Sequence, residues 1–231
     1  MDEQKNPVNI SPEVFAKLPG FVLISGIVET GSIDAPAIKT YLTEAWEGLK
    51  QKLADENSPE SLRIKHWVEA LKASGIKTKD FPPSIHAIAK RALKGGEVFS
   101  VNPIVDAYNA ISMELALPLG AYDAEQMQGH YLRLSQGGEE FLAIGSKEND
   151  PTLPGEIVYS DDNAILTRMF IWRQSDKAKI TAETKKFIFV CELLDTMGPD
   201  MASKAQNLIE EKMKALLGAN ITNLSIQAHQ Q

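Results

Sequence analysis

The order of hydrophobic patterns along this chain narrows its fold more than any single residue does. Helical spacing dominates the first half, strand-like runs follow, and one amphipathic helix comes near the end. Ahead of them lies Phe21-Val-Leu-Ile-Ser-Gly-Ile-Val28, an apolar run that suits a buried strand. Ile38, Tyr41, Leu42, Ala45, Trp46, Leu49 and Leu53 then recur at three- and four-residue spacing, the stripe of a helix lying against a core. Ser58 and Pro59 read as the cap and first residue of a second helix, with Ile64, Trp67, Val68 and Leu71 on its buried face. Trp46 and Trp67 are accordingly core residues. Shorter helices are expected after Ser84 and after Asn102, where Pro103 suits the first helical position.

Strands are expected over Tyr131–Leu134, Glu140–Ile144, Glu156–Tyr159, Ala164–Trp172 and Lys186–Leu193, with Gly137-Gly138 as a turn and Ser146–Pro154 as a loop. A last helix runs from about Asp200 and stops at Gly218, and Ile221–Ile226 can add an edge strand. With no repeat and no dividing linker, residues 1–231 read as one α+β domain, a layered β-sheet assembly with flanking helices.

Composition excludes several classes of protein. The lone Cys191 sits in an apolar run and reads as a buried thiol, so neither a disulfide nor a cysteine metal site is available. His66, His86, His130 and His229 lie far apart without ligand spacing, and no metal or cofactor is expected. The first residues have no apolar h-region, and no run approaches the roughly twenty apolar residues of a membrane span; a cytoplasmic location is the expectation. The formal charge of −7 argues against a protein that coats DNA or RNA. It is unevenly spread, however: residues 77–94 and residues 165–190 each carry an excess of four positive charges, which leaves −15 on the remainder. Phosphate contact needs local rather than net positive potential, so a small nucleic-acid footprint is compatible with this chain.

Three short motifs follow one another over about forty residues: Ala89-Lys-Arg-Ala-Leu93, Asn102-Pro-Ile-Val-Asp-Ala-Tyr-Asn109 and Leu117-Pro-Leu-Gly-Ala-Tyr-Asp123. Gly138-Glu-Glu-Phe-Leu142, Val158-Tyr-Ser-Asp161, Ile180-Thr-Ala-Glu-Thr184 and Phe187-Ile-Phe-Val-Cys-Glu192 come after them. In this order they resemble the tRNA-editing domain of the phenylalanyl-tRNA synthetase beta subunit, over roughly residues 77–195. The resemblance implies that domain's layered sheet fold, a tRNA acceptor end as partner, and hydrolysis of a misacylated aminoacyl ester. Strand and helices over 11–75 and the helix over 199–218 would pack on this core. Gly120 stands where the synthetase domain has a histidine, and Leu166-Thr-Arg-Met-Phe-Ile-Trp-Arg173 replaces its glycine-rich segment, so the pocket must differ in shape. Gly155–Tyr159 and Trp172–Gln174 look more like freestanding relatives of that domain.

The resemblance places Asp106, Asn109, Gly120, Tyr122 and Asp123 in substrate binding. Asp106 in a first helical turn also has a structural reason, since an acid there complements the helix dipole. Glu156, at the edge of a Pro/Gly loop, is the candidate catalytic carboxylate, either orienting water or binding the amino group; otherwise it is a solvent-facing residue beside a turn. Lys90, Arg91, Arg168, Trp172 and Arg173 are the candidate RNA contacts, with Arg168, Phe170 and Trp172 expected on one strand face and Arg173 on the other. No Ser-His-Asp or Cys-His set is visible, and an activated ester does not require one. Two other functions fit the same residues: a module that binds a tRNA end or an amino acid without turnover, and a scaffold that docks through its acidic helices.

Overall fold

The computed structural model describes residues 6–229, which fold into two sheets with a helical layer against one of them. The chain starts with a short strand β1 (Asn9–Ile10), a one-and-a-half-turn helix α1 (Pro12–Lys17) and the long strand β2 (Phe21–Glu29). Four helices follow: α2 (Ala35–Leu53), α3 (Pro59–Ala73), α4 (Ser84–Leu93) and α5 (Pro103–Leu115). Then come β3 (Leu119–Asp123), β4 (Tyr131–Leu134), β5 (Ile157–Ser160), β6 (Ile165–Arg168), β7 (Arg173–Gln174) and β8 (Lys186–Leu194). Helix α6 (Met201–Leu217) and strand β9 (Asn220–Ala228) complete the fold.

One sheet has the order β3-β8-β2-β9, with every pairing antiparallel. The other has the order β1-β4-β5-β6-β7, parallel only between β1 and β4. The first sheet is covered on both faces. Phe187, Phe189, Cys191 and Leu193 of β8 join the core formed with α5 and α6, whereas Ile188, Val190 and Leu194 face the second sheet and α3. A strand covered on both faces needs apolar side chains at successive positions, which is why β8 reads as a continuous hydrophobic run. Helices α2 to α5 share a further cluster around Trp46, Leu49, Ile64, Ile85 and Met113.

Local signals start the helices where expected. The Ser58 hydroxyl accepts from Ser61 N at 3.1 Å, and Asn102 Oδ1 from Val105 N at 3.0 Å, each ahead of a proline at the first helical position. Helix α6 ends at Gly218 in the left-handed region, φ 56°. Cys191 is buried and unpaired, and burial raises its thiol pKa well above the usual range.

Three expectations are corrected. Residues 140–144 do not form a strand; only Ala143 makes an isolated bridge, to Ser175. Backbone groups there are satisfied partly inside the loop, by Phe141 N to Asn149 Oδ1 and Asp150 N to Phe141 O at 2.9 Å each, and partly against β7 and the turn after it, by Ile144 N to Gln174 O at 3.0 Å and Asp176 N to Leu142 O at 3.1 Å. The run 164–172 is not one strand either. It breaks after Arg168, where Met169 and Phe170 take φ of 49° and 67° and the chain turns back as β7. Phe170 is thereby driven into the core against Phe21, Trp67 and Tyr159, so the face shared by residues 168, 170 and 172 does not exist. Beyond these, β1, α1, β3 and β7 carried no pattern strong enough to be expected.

Asn102 both caps α5 and donates from Nδ2 to Ile180 O at 3.3 Å. Its replacement by Ala is expected to cost about 1–2 kcal/mol. In a domain of this size that is a fall in Tm of roughly 2–8 °C, measurable by differential scanning calorimetry.

Candidate functional site

Between the two sheets, at the end covered by α4 and α5, lies a cleft of about 190 Å³. One wall is β3 and β8, contributing Gly120, Tyr122, Val190 and Glu192. The opposite wall is Tyr159 of β5, Thr167 of β6 and the Phe170–Trp172 turn, with Gln174 of β7 beside it. Tyr108 and Asn109 of α5 and Ser84 at the start of α4 close the helical side. Both sheets contribute, so the cleft exists only because their register brings these residues together.

Glu192 is the least expected of them. It is the one carboxylate on a strand buried along its whole length after Lys186, and it is 2% exposed. Its Oε1 accepts from the Tyr159 hydroxyl at 2.7 Å. Burial is the dominant influence and raises its pKa to about 8, against a smaller lowering by the Tyr159 hydrogen bond, so the carboxyl keeps its proton at neutral pH. Tyr122 and Thr167 bridge the sheets by a hydroxyl pair at 2.7 Å, and Gln174 Nε2 donates to Ala121 O at 2.9 Å. Burial raises the Tyr122 and Tyr159 pKa values as well, so both phenols are neutral. The cleft is polar but uncharged.

Gly120 faces open space: a Cβ built there would meet only Val190 Cγ2, at 4.0 Å. Its backbone is not in the left-handed region, so conformation does not demand glycine here; the missing side chain adds room. Behind Tyr122 and Tyr159 stands His130, with ring centroids 4.8 and 5.5 Å away. Neither ring nitrogen has a hydrogen-bond partner among the described residues, and burial lowers its pKa to about 3.

Of the residues expected to bind substrate, Asn109, Gly120 and Tyr122 line the cleft. Asp106 and Asp123 do not. Asp106 holds the approach to α5 through Val101 N at 2.8 Å and the Ser100 hydroxyl; Asp123 accepts from Thr184 Oγ1 at 2.6 Å and Glu125 N at 2.9 Å. Both are buried turn-fixing groups.

Glu156 and Arg168 are corrected most sharply. Arg168 Nε and Nη2 grip the two Glu156 oxygens at 2.8 Å each, and Leu153 N and Met169 N donate to the same carboxylate at 2.8 and 3.1 Å. With four donors satisfied and both side chains buried, Glu156 has no lone pair left for water and Arg168 no surface to offer a phosphate. Arg168 Nη1 also holds Asp150, through its carbonyl at 2.9 Å and its carboxylate at 2.7 Å, which ties down the loop ahead of β5. Trp172 is half-buried at the cleft mouth, while Arg173, Lys90 and Arg91 are exposed.

Glu192, Tyr159, Thr167 and Gln174 were missed in the sequence. Only Glu192 left a signal there, as a lone carboxylate inside Phe187-Ile-Phe-Val-Cys-Glu-Leu-Leu194. A larger groove of about 770 Å³ lies on the outer face of the second sheet, where two of its three cations are already paired, Arg133 with Glu139 at 2.6 Å and Lys177 with Asp161 at 2.6 Å. Among the described residues, no three His, Cys, Asp or Glu side chains converge as a metal site, and no helix is long and apolar enough to cross a membrane.

A family model for the B3/4 domain matches residues 66–214, which takes in both cleft walls and the helices beside them. The chain belongs to the B3/4 domain family. Among solved structures, its fold is similar to an N-terminal fragment of the phenylalanyl-tRNA synthetase beta subunit from Pyrococcus horikoshii, with a TM-score of 0.52 and 11% identity. The match covers 94% of this chain and 50% of that one, so this B3/4 chain spans about half the length of the fragment it resembles. At 11% identity the likeness is one of fold. No curated protein matches the sequence.

Two ionisations of the site act on stability in opposite directions. Glu192 retains its proton in the folded state up to about pH 8 but releases it near 4.5 when unfolded, so its contribution is complete below pH 4.5 and is lost as pH rises through 8. His130 stays neutral in the folded state down to about pH 3 while the unfolded chain takes up a proton near 6.5, so stability falls as pH drops below 6.5. Urea titrations of Glu192→Gln should show a flatter profile between pH 4.5 and 8, and those of His130→Leu a flatter one below 6.5. Arg168→Ala strands a buried carboxylate and is expected to cost about 3–5 kcal/mol in the same assay.

Proposed function

We propose that this chain is a trans-editing hydrolase, an aminoacyl-tRNA deacylase that works on mischarged tRNA at the inter-sheet cleft. The observation that carries this reading is a cleft of about 190 Å³ between the sheets, lined by the buried Glu192 carboxyl in its hydrogen bond with Tyr159 and by Gly120, whose missing side chain leaves room. Membership of the B3/4 family and the fold likeness to a phenylalanyl-tRNA synthetase beta subunit support it. The partner is the acceptor end of tRNA, encountered in the cytoplasm.

The chemistry asked of the protein is modest. Water adds to the ester carbonyl, the bond from acyl carbon to ribose oxygen breaks, and the products are the free amino acid and a ribose hydroxyl. An aminoacyl ester is activated already, so holding it beside an oriented water supplies much of the rate. Asn109 and the Tyr122–Thr167 hydroxyl pair are the neutral polar groups able to place that water. Glu192 and Tyr159 present a hydrogen-bonding floor for the amino-acid side chain, and Gly120 leaves space above it. In this reading Glu192 is a neutral hydrogen-bonding group of the pocket wall, and the water-orienting role expected of Glu156 falls to Asn109 and the Tyr122–Thr167 pair.

A cleft without a nucleophile–base pair also suits a module that binds and does not turn over, and the first experiment separates the two. Purified protein is incubated with tRNAs charged with cognate and non-cognate amino acids, and ester loss is followed. Selective deacylation of one mischarged species is expected; survival of every ester would refute the hydrolase. Glu192→Gln is expected to keep most of the activity at pH 7, because the native carboxyl is protonated there, whereas Glu192→Ala should lower kcat/KM at least tenfold for a side chain bearing a hydroxyl. Gly120→Ala should fold normally and lower kcat/KM roughly tenfold for the bulkier of two substrates while sparing the smaller.

A further inference from the structure

The mouth of the cleft carries an aromatic and a cation side by side: Trp172, which packs against the edge of the inter-sheet core and also lines the cleft, and Arg173. Trp172 lines the cleft at its outer end and is half-buried, unlike Trp46 and Trp67, which are 2% and 0% exposed. It is reached by the left-handed turn at Met169 and Phe170, a conformation that costs non-glycine residues on the order of 1 kcal/mol each. Phe170 anchors that turn in the core, and the backbone of Ser84 clamps it from the other side by donating to Ile171 O at 2.9 Å. Phe81 meets the Trp172 ring edge-on, with centroids 4.8 Å apart and planes at 85°, and Pro82 and Pro83 stiffen the segment that holds it there. The indole is therefore fixed in place at an opening rather than buried in a core.

Arg173 completes the arrangement. It is exposed and has no carboxylate partner among the described residues; its guanidinium lies 5.0 Å from the centroid of the Trp172 ring instead. An arginine held only by an aromatic face keeps all its donors free for an anion. From the same mouth, α4 runs outward for ten residues, about 15 Å, to Lys90, Arg91 and Lys94 at its far end, all of them exposed. Indole face, free guanidinium and a trailing row of cations are the features that bind a single-stranded nucleotide end, the base by stacking and the phosphates by charge.

We propose that Trp172 and Arg173 form a nucleotide platform, Trp172 stacking the terminal purine of the substrate and Arg173 taking its 5′ phosphate, so that the ribose ester points into the cleft. This rests on the deacylase reading for its physiological ligand, but the platform is itself testable without turnover. The Arg173 guanidinium occupies the indole face in the free protein; a purine replaces it there, and the arginine swings to the phosphate.

Adenosine 5′-monophosphate is the probe. Because Trp46 and Trp67 are sealed in the core, quenching of tryptophan fluorescence by the nucleotide reports Trp172. Saturable quenching is expected with adenosine 5′-monophosphate, and weaker quenching with uridine 5′-monophosphate, whose base stacks less well. Affinity measured by calorimetry should fall at least about tenfold in Trp172→Leu and be largely kept in Trp172→Phe. Arg173→Ala should weaken the nucleotide while adenosine, which no longer has to displace the guanidinium from the indole face, binds at least as well as before, and raised salt should shrink the loss seen with the nucleotide. Nucleotide binding unaffected in Trp172→Leu, or no binding to the native protein, overturns the platform. If aminoacyl esters are cleaved yet the nucleotide does not bind, the platform alone fails. If the nucleotide binds through Trp172 while every ester survives, the platform stands and the hydrolase reading fails.

Discussion

The fold depends on β8 being covered on both faces. It is the strand on which the helical core and the inter-sheet core meet, with Phe187, Phe189 and Cys191 turned one way and Ile188, Val190 and Leu194 the other. Burial on both sides leaves no water to solvate a charge, so a carboxylate introduced into this strand must either be neutralised or find a cation. Glu192 is neutralised and shares its hydrogen bond with Tyr159 across the gap between the sheets. The placement of β8 thus determines both the stability of the assembly and the electrostatic character of its cleft.

The buried ion pair of Glu156 and Arg168 solves the same problem differently. Here two charges are retained, each saturated by the other and by backbone donors. The pair joins the start of β5 to the end of β6 immediately before the left-handed turn, and through Asp150 it fastens the preceding loop. Its contribution lies in fixing geometry: the turn that carries Trp172 outward begins one residue after Arg168.

Much of the architecture was legible in the sequence. The helices announced themselves through spacing and caps, as at Ser58-Pro59 and Asn102-Pro103, because those signals are local. Strands flanked by turn residues, such as Tyr131–Leu134, were equally plain. Failures occurred where tertiary contacts decide. Nothing local predicts that Met169 and Phe170 should adopt positive φ; the aromatic pocket that receives Phe170 is assembled from β2, α3 and β5. The site divides similarly. Asn109, Gly120, Tyr122 and Trp172, singled out by short motifs, all line the cleft, whereas Glu156 and Arg168 looked exposed in sequence because their mutual satisfaction depends on pairing across a sheet. Tyr159 and Thr167 became visible only once β5 and β6 faced β3.

Glu192 has one further consequence. Burial disfavours its ionised form and its Oε1 is already engaged by the Tyr159 hydroxyl, so this wall of the cleft offers hydrogen bonds without a fixed charge. A ligand set against it is matched by shape and by hydrogen bonding, and salt that screens the charges on the outer surface leaves that match untouched.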